Sequence, residues 1–416
     1  MERKACYMKN LIMISHNYHS FLLNEIEYAK DYFDKVVVIT LYNKEIEAKF
    51  KEDNNVKLRF FTIQELHCAA FLQLYSVVTK EKREELISAV KNKCVEKKYL
   101  KQFLLFLAME RICRTKINKI GLNNNANEWG ILSCWYEVDA YATYRVKIRY
   151  PEVKIFSLAH SYEVDSIKNK YILQLFRKNY HKSFESISFI SKNVMVNFKK
   201  TIADKLGLSL NNVEVRYLGT RKYLLGLSTF NKYPPYHILT CSYVVPIKRV
   251  ERIYSTLRDF ANVPIIWTHI GEGQNYNILK NEILKNNNPY LKIDLRGSME
   301  NRNIHQFYID NKIDLFVNFS LAEGIPVSIM EAIAYGVQVV ATDVGGNNEI
   351  VKDEFGTIID SNVTDAQLWD AIYNRLTLDE NLKEISCEKA AKYFNETFNA
   401  DKIRKEFYLN MQNKRG

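Results

Sequence analysis

The sequence holds 14 glycines, and none of them comes before Gly121. A Gly-rich phosphate loop after the first strand is thereby excluded, and with it an N-terminal dinucleotide fingerprint. Any nucleotide site is expected in the second half, where most of the glycines lie. No uncharged apolar run approaches the ~18–20 residues that cross a bilayer. Seven cysteines (6, 68, 94, 113, 134, 241 and 387) form no Cys-x-x-Cys pair and no Cys/His cluster. Reduced thiols are expected, not a disulfide framework or a zinc site. Asp-x-Asp does not occur, so nothing points to metal-bridged phosphate binding, and no cofactor is expected. Glu2, Arg3, Lys4 and Lys9 precede a short apolar strand that is no signal-peptide core, which leads us to expect a cytoplasmic protein.

What is present is an ordinary globular composition. Apolar residues make up 47% and charged residues 26% of 416 positions, with 27 Tyr and 22 Phe, enough to fill two cores. Disorder is excluded. The net charge of +11 is uneven. Residues 1–225 carry 38 Lys and Arg against 24 Asp and Glu, whereas residues 226–416 carry 21 against 24. The two halves are therefore expected to face different partners.

Short β-branched runs alternate with helical periodicity. The runs at 11–15, 35–40, 56–61, 131–135, 153–158, 187–191 and 213–218 read as strands of a first α/β unit. Those at 237–241, 264–270, 291–295, 315–318, 338–342 and 357–359 read as a second series. Between them Pro234-Pro235 marks a hinge candidate. Residues 76–120 read as a Lys-rich helical insertion, and the tail as a helix. Alternation of this kind implies parallel sheets covered by helices on both faces. The expected fold class is α/β, with two doubly wound Rossmann-like domains: 1–225, containing the basic insertion, and 237–395, followed by a C-terminal helix at 396–416.

The most informative segment is SLAEGIPVSIMEAIAYG, residues 320–336. It follows the strand at 315–318, so it sits at a strand's carboxyl end, where open α/β sheets bind ligands. Pro326 suits a first helical position and Gly336 the residue just past the end. The open helix start, with free N–H groups of Gly324, Ile325 and Val327, favours an anion such as a pyrophosphate. Glu323 stands at its mouth, and Glu331 lies roughly 7.5 Å further along the axis than Pro326. Two solvated helix-end charges are the plainer reading of that spacing.

A second element runs from Leu239 through Ser242 to Lys248 and Arg249, a strand end followed by two cations. Lys248 can neutralise a leaving diphosphate there, although a surface Lys-Arg pair would look the same. Gly271 in a Gly-Glu-Gly turn, and Gly297 and Met299 in the turn Arg-Gly-Ser-Met, mark two more strand ends where backbone can approach a ligand.

Together these residues resemble the retaining glycosyltransferases of family 4, which have the GT-B fold. The resemblance is strong over about residues 237–360. It rests on Glu323…Glu331, the following QVVATDVGGNNEIV at 338–351, and the Ser-x5-Lys loop ending at Lys248. In the first half, FSLAHSYE at 156–163 resembles the segment that delivers a sugar-contacting histidine, here His160 with Glu163 three residues on. Tyr243 stands where the family usually has an Arg, and Arg249 is a candidate substitute. The Gly-rich turn after the first strand is replaced by Ser15-His16-Asn17-Tyr18-His19-Ser20.

The resemblance implies two domains facing each other across a cleft, with the C-terminal helix crossing back to the first. It implies transfer of a sugar, with retention, from a UDP- or GDP-sugar to a hydroxyl. Glu331 would hold the ribose, and Lys248 with the 324–327 amides the diphosphate. Glu323 and His160 would contact the donor sugar as the catalytic pair. Lys91, Lys93, Lys97, Lys98, Lys101, Arg111, Arg114, Lys116 and Lys119 surround the apolar run 103–109. A basic amphipathic stretch of that kind can lie on an anionic membrane surface, which suggests a lipid-linked or glycan acceptor in surface polysaccharide synthesis at the inner face of the membrane. A solvated face of a packed helix is the simpler account. Nucleic acid is not expected. Two other readings stay open: a catalytically silent subunit that positions an acceptor for an active partner, and a nucleotide-sugar epimerase.

Overall fold

The computed structural model describes residues 8–17, 20–74, 83–84, 97–122, 125–164 and 176–413. The chain forms two units, one of residues 1–216 and 404–416, the other of residues 217–403.

The first unit is built on seven strands: β1 (Asn10–Ser15), β2 (Lys35–Leu41), β3 (Val56–Phe61), β4 (Trp129–Ser133), β5 (Lys154–Ala159), β6 (Ser186–Phe189) and β7 (Val213–Val215). They pair in parallel in the order β3-β2-β1-β4-β5-β6-β7. The second unit has β8 (Tyr236–Cys241), β9 (Ile265–Ile270), β10 (Leu291–Gly297), β11 (Leu315–Asn318), β12 (Gln338–Thr342) and β13 (Gly356–Ile359). Their order is β10-β9-β8-β11-β12-β13, again all parallel. Central strands such as Gln338–Thr342 are buried throughout, as continuous apolar runs covered on both faces must be.

In each unit the winding reverses between the first and fourth strands. Loops leaving the carboxyl ends of those neighbours diverge there and open a crevice.

One expectation is corrected, and another falls largely outside the described residues. The hinge candidate Pro234-Pro235 lies inside the second unit, where Asn231 Nδ2 donates to Asp314 Oδ2 at 2.7 Å, and the chain passes between units at 216–217 and 403–404 instead. Much of the basic insertion, residues 75–82 and 85–96, lies outside the described residues. Its described helix, Lys97–Asn118, buries Phe103, Phe106, Leu107, Ala108 and Met109 against the helices Ile63–Leu74 and Val138–Arg149. Most of that run is core, its apolar surface already removed from water by protein, with Leu104 and Leu105 half-buried. Among the described residues no helix is long and apolar enough to cross a membrane.

The last helix, Ala400–Asn413, spans the division, with residues from Arg404 onward counted in the first unit. There Glu25 accepts from Arg404 Nε at 2.9 Å, Arg216 Nη2 at 3.0 Å and Tyr408 OH at 2.7 Å. Burial alone would raise the Glu25 pKa, but the two guanidinium groups hold it down at about 2.

Candidate active site

The crevice of the second unit lies between the loops after β8 and β11. After β8 the chain makes a short 3-10 turn, Pro246–Lys248, before the helix Val250–Phe260. Arg249 joins the two with a left-handed backbone, φ 50°, an uncommon place for a side chain. Its guanidinium donates to the carbonyls of Phe319 at 2.7 Å and Ser361 at 2.6 Å and lies 3.8 Å from the Phe319 ring centre. Arg249 thus ties the β8 loop to the β11 loop. Three of its five N–H donors go to backbone carbonyls, those of Phe319, Ser361 and Ser320.

The fastened loops bring Lys248 to Glu323. Lys248 Nζ donates to both carboxylate oxygens, at 2.6 and 2.7 Å. Glu323 Oε1 also accepts from Ser320 Oγ at 2.6 Å and Asn318 Nδ2 at 3.1 Å. Glu323 is buried and Lys248 only partly so. The backbone beneath is pressed from β12's loop. A Cβ on Gly345, φ 57°, would stand 2.1 Å from the Glu323 carbonyl oxygen, which is why only glycine fits.

The helix that follows is Val327–Ala334. Pro326 occupies the N-cap with extended backbone, φ −77° and ψ 115°, one position earlier than its expected place, because an unbonded proline nitrogen suits either site. Among the described residues no side chain caps this end, which leaves its first N–H groups suited to an anion. Gly336, φ 77°, ends the helix as expected.

Glu331 sits one turn in and is almost wholly buried. Burial pushes its carboxyl up to about 7, against a weaker opposing pull from Asn301, whose Nδ2 donates to Oε1 at 2.6 Å. Asn301 was not singled out from sequence, where it is one polar residue of many at a helix start.

Ser242, Gly271 and Gly297 share one run of loop backbone along β8, β9 and β10. Ser242 N–H donates to Ile270 O at 3.0 Å and Gly271 N–H to Gly297 O at 2.8 Å. Met299, partly exposed, closes the turn after β10. A Cβ on Gly271 would lie 2.0 Å from Ser242 O, so this approach too demands glycine.

His160 belongs to the first unit, at the end of β5. Its ring lies between Phe21 and Trp135, with centroids 4.7 Å from each. Neither ring nitrogen has a hydrogen-bond partner among the described residues, and Nδ1 stands 3.7 Å from Glu163 Oε1. Glu163 is occupied with backbone, accepting from Tyr136 N–H at 2.6 Å and His160 N–H at 3.2 Å.

Beside Trp135 is a pair that sequence reading missed. His16, directly after β1, puts Nδ1 3.0 Å from Asp139 Oδ1, and its backbone N–H donates to the same oxygen at 2.8 Å. Burial works to lower the His16 pKa, but Asp139 raises it above its usual value. The available signal was topological: the residues after a first and a fourth strand meet at the reversal.

Among the described residues no three His, Cys, Asp or Glu side chains are grouped to hold a metal ion.

Residues 231–393 match the family model of glycosyl transferases group 1. Among curated proteins, the chain is 36% identical over 102 residues to UDP-Gal:alpha-D-GlcNAc-diphosphoundecaprenol alpha-1,3-galactosyltransferase of Escherichia coli, a match covering 24% of this chain and 26% of that protein. It is 27% identical over 229 residues to an uncharacterized glycosyltransferase, MJ1178, of Methanocaldococcus jannaschii, covering 53% of this chain and 59% of that one. These matches thus span about a quarter and under two thirds of the relatives' lengths. Among solved structures, Anabaena Alr3699/HepE in complex with UDP superposes with a TM-score of 0.67 at 14% identity, over 97% of this chain and 99% of that one. The lipopolysaccharide outer core galactosyltransferase WaaB gives 0.66 at 12% identity over 97% and 99%. The fold is that of GT-B glycosyltransferases.

Proposed function

We propose that this protein is a retaining, family 4 glycosyltransferase that moves a sugar from a nucleoside diphosphate sugar to a hydroxyl of a glycan or lipid-linked acceptor. The observation that carries the proposal is Lys248 paired with Glu323 beside an uncapped helix end. A diphosphate arriving there finds one mobile cation and a set of fixed N–H donors, placed where charge develops as the sugar–phosphate bond breaks. It draws Lys248 away from Glu323, which keeps its Ser320 and Asn318 donors and turns its negative charge to the oxocarbenium-like sugar. Glu331 accepts from the ribose hydroxyls, and Ser242, Gly271, Gly297 and Met299 line the nucleotide's approach. His160 is proposed as a sugar-binding residue of the first unit.

UDP is the favoured nucleotide, because the Anabaena structure holds UDP and the Escherichia coli relative is named for UDP-Gal. That relative's name also supports a polyprenyl diphosphate-linked acceptor and a role in surface polysaccharide synthesis. The reaction is proposed to need no metal, since Lys248 and the helix end neutralise the leaving group.

The test is a thermal-shift panel of UDP, GDP, UDP-glucose and UDP-galactose, followed by assay of nucleoside diphosphate release. A UDP-dependent rise in melting temperature is expected, in proportion to occupancy. It should be lost in Glu331→Ala, with turnover unchanged by excess chelator. Indifference to every nucleotide would overturn the assignment, and strict chelator sensitivity would overturn its metal-free part.

A further inference from the structure

Behind Glu331 stands a line of polar groups that no step above uses. Asn301 opens the helix Asn301–Asp310 and His305 follows one turn later, so both lie on one face of it. Asn301 Nδ2 takes Glu331 Oε1 at 2.6 Å. His305, fully buried, holds Nε2 3.8 Å from the same oxygen, and that nitrogen has no hydrogen-bond partner among the described residues.

The other ring nitrogen fixes the tautomer. His305 Nδ1 lies 2.9 Å from Tyr335 OH, and that hydroxyl oxygen already accepts from Leu224 N–H at 3.4 Å. The Tyr335 proton is then free to go to Nδ1, which leaves the His305 proton on Nε2, facing Glu331. Stacking holds the relay in place. The Tyr335 ring lies on Tyr308 at 5.2 Å and 10°, and Tyr223 meets the His305 ring edge-on at 4.8 Å. Glu331 Oε2 makes no hydrogen bond among the described residues.

We infer that Asn301 and His305 are positioning residues for the donor's ribose: Asn301 holds Glu331 Oε1, His305 faces the same oxygen, and Oε2 is left to accept the sugar hydroxyls of the nucleotide. The inference rests on the nucleotide-binding reading and deepens it. Two groups of one helix thus set which carboxylate oxygen the ligand meets, and ligand binding draws His305 Nε2–H onto Oε1 as negative charge gathers on the carboxylate.

The experiment compares UDP with its 2′,3′-dideoxy analogue by titration calorimetry in the full chain. The wild type should prefer UDP. Asn301→Ala and His305→Phe, which keeps the ring volume, should each weaken UDP by about tenfold, as the loss of a hydrogen bond to a charged group does. Both should leave the dideoxy analogue within twofold, so that the preference collapses. Equal weakening of both nucleotides would mean a merely structural role and would overturn the inference. Loss of the preference in Glu331→Ala, with its retention in both Asn301→Ala and His305→Phe, would sink this inference alone. An unchanged preference in Glu331→Ala would sink the ribose assignment beneath it.

Discussion

The two units wind their sheets alike and put a basic side chain against a carboxylate at the same topological point, His16 with Asp139 in one and Lys248 with Glu323 in the other. They differ in what surrounds the pair. In the first unit the backbone N–H groups of Tyr136 and His160 are already given to Glu163, an anion the chain supplies itself. Glu137 adds a further acid, raised to about 7 by burial first and by Glu163 second. Among the described residues the helices after β4 and β11, Val138–Arg149 and Val327–Ala334, both start without a side-chain cap, so the difference lies in the acids around them. The first crevice gives loop amides to an acid of its own, and the second has a lysine beside its helix start. The contrast runs against net charge, since the basic half of the sequence holds the acidic crevice and the acidic half the lysine. Charge summed over a domain says little about the charge a ligand meets.

The largest effect that would break this comparison is in the second unit. Lys248→Ala should lower turnover by about 10²–10³, the usual loss for one group that stabilises a leaving anion. Release of UDP from UDP-glucose measures it, and a variant at half the wild-type rate would show that the lysine is no anion ligand. In the first unit the corresponding cost falls on folding. Glu25→Ala leaves Arg216 and Arg404 buried without their carboxylate and should cost about 3–5 kcal/mol in urea unfolding. A loss under 1 kcal/mol would show that those guanidinium groups find other partners.

Glu163→Gln should cost about 1.5–3 kcal/mol, since a charged acceptor of two amides is replaced by a neutral one. UDP affinity should stay within twofold, because the opened amides are in the crevice to which no nucleotide is assigned; a gain or loss of UDP affinity would merge the two crevices' roles. The smallest effect is a pH dependence. The Glu331 pKa is raised, so the free protein favours its neutral form and the associated stability is present at low pH and fades as pH rises through about 7. The ribose selects the ionised form, so UDP affinity should rise by about tenfold between pH 6 and 8. Glu331→Gln should flatten that rise, and a flat wild-type profile would contradict the assignment.

Most of the second crevice was legible in the sequence. Each of the thirteen runs expected as strands became one, with boundaries displaced by no more than a few residues, because two-sided burial writes continuous apolar segments into the chain. Glu323 and Glu331 were legible because proline and glycine punctuate the helix between them. The packing of the run 103–109 was not legible, because an apolar, basic-flanked helix looks the same whether its oily face meets lipid or protein. The backbone ties of Arg249 were not legible, because a left-handed backbone and three carbonyl partners are invisible in a string of letters.

The sequence by itself determined the elements, their alternation and the placing of Glu323 and Glu331 about one helix start, all of which rest on spacings shorter than a helix and its turn. Only the tertiary structure decided the partners. Lys248 meets Glu323 across 75 positions, His16 meets Asp139 across 123, and His305 comes to stand behind Glu331. The physical reason is that such pairs depend on which strands lie side by side, and strand order is settled by the packing of whole layers and not by any local pattern.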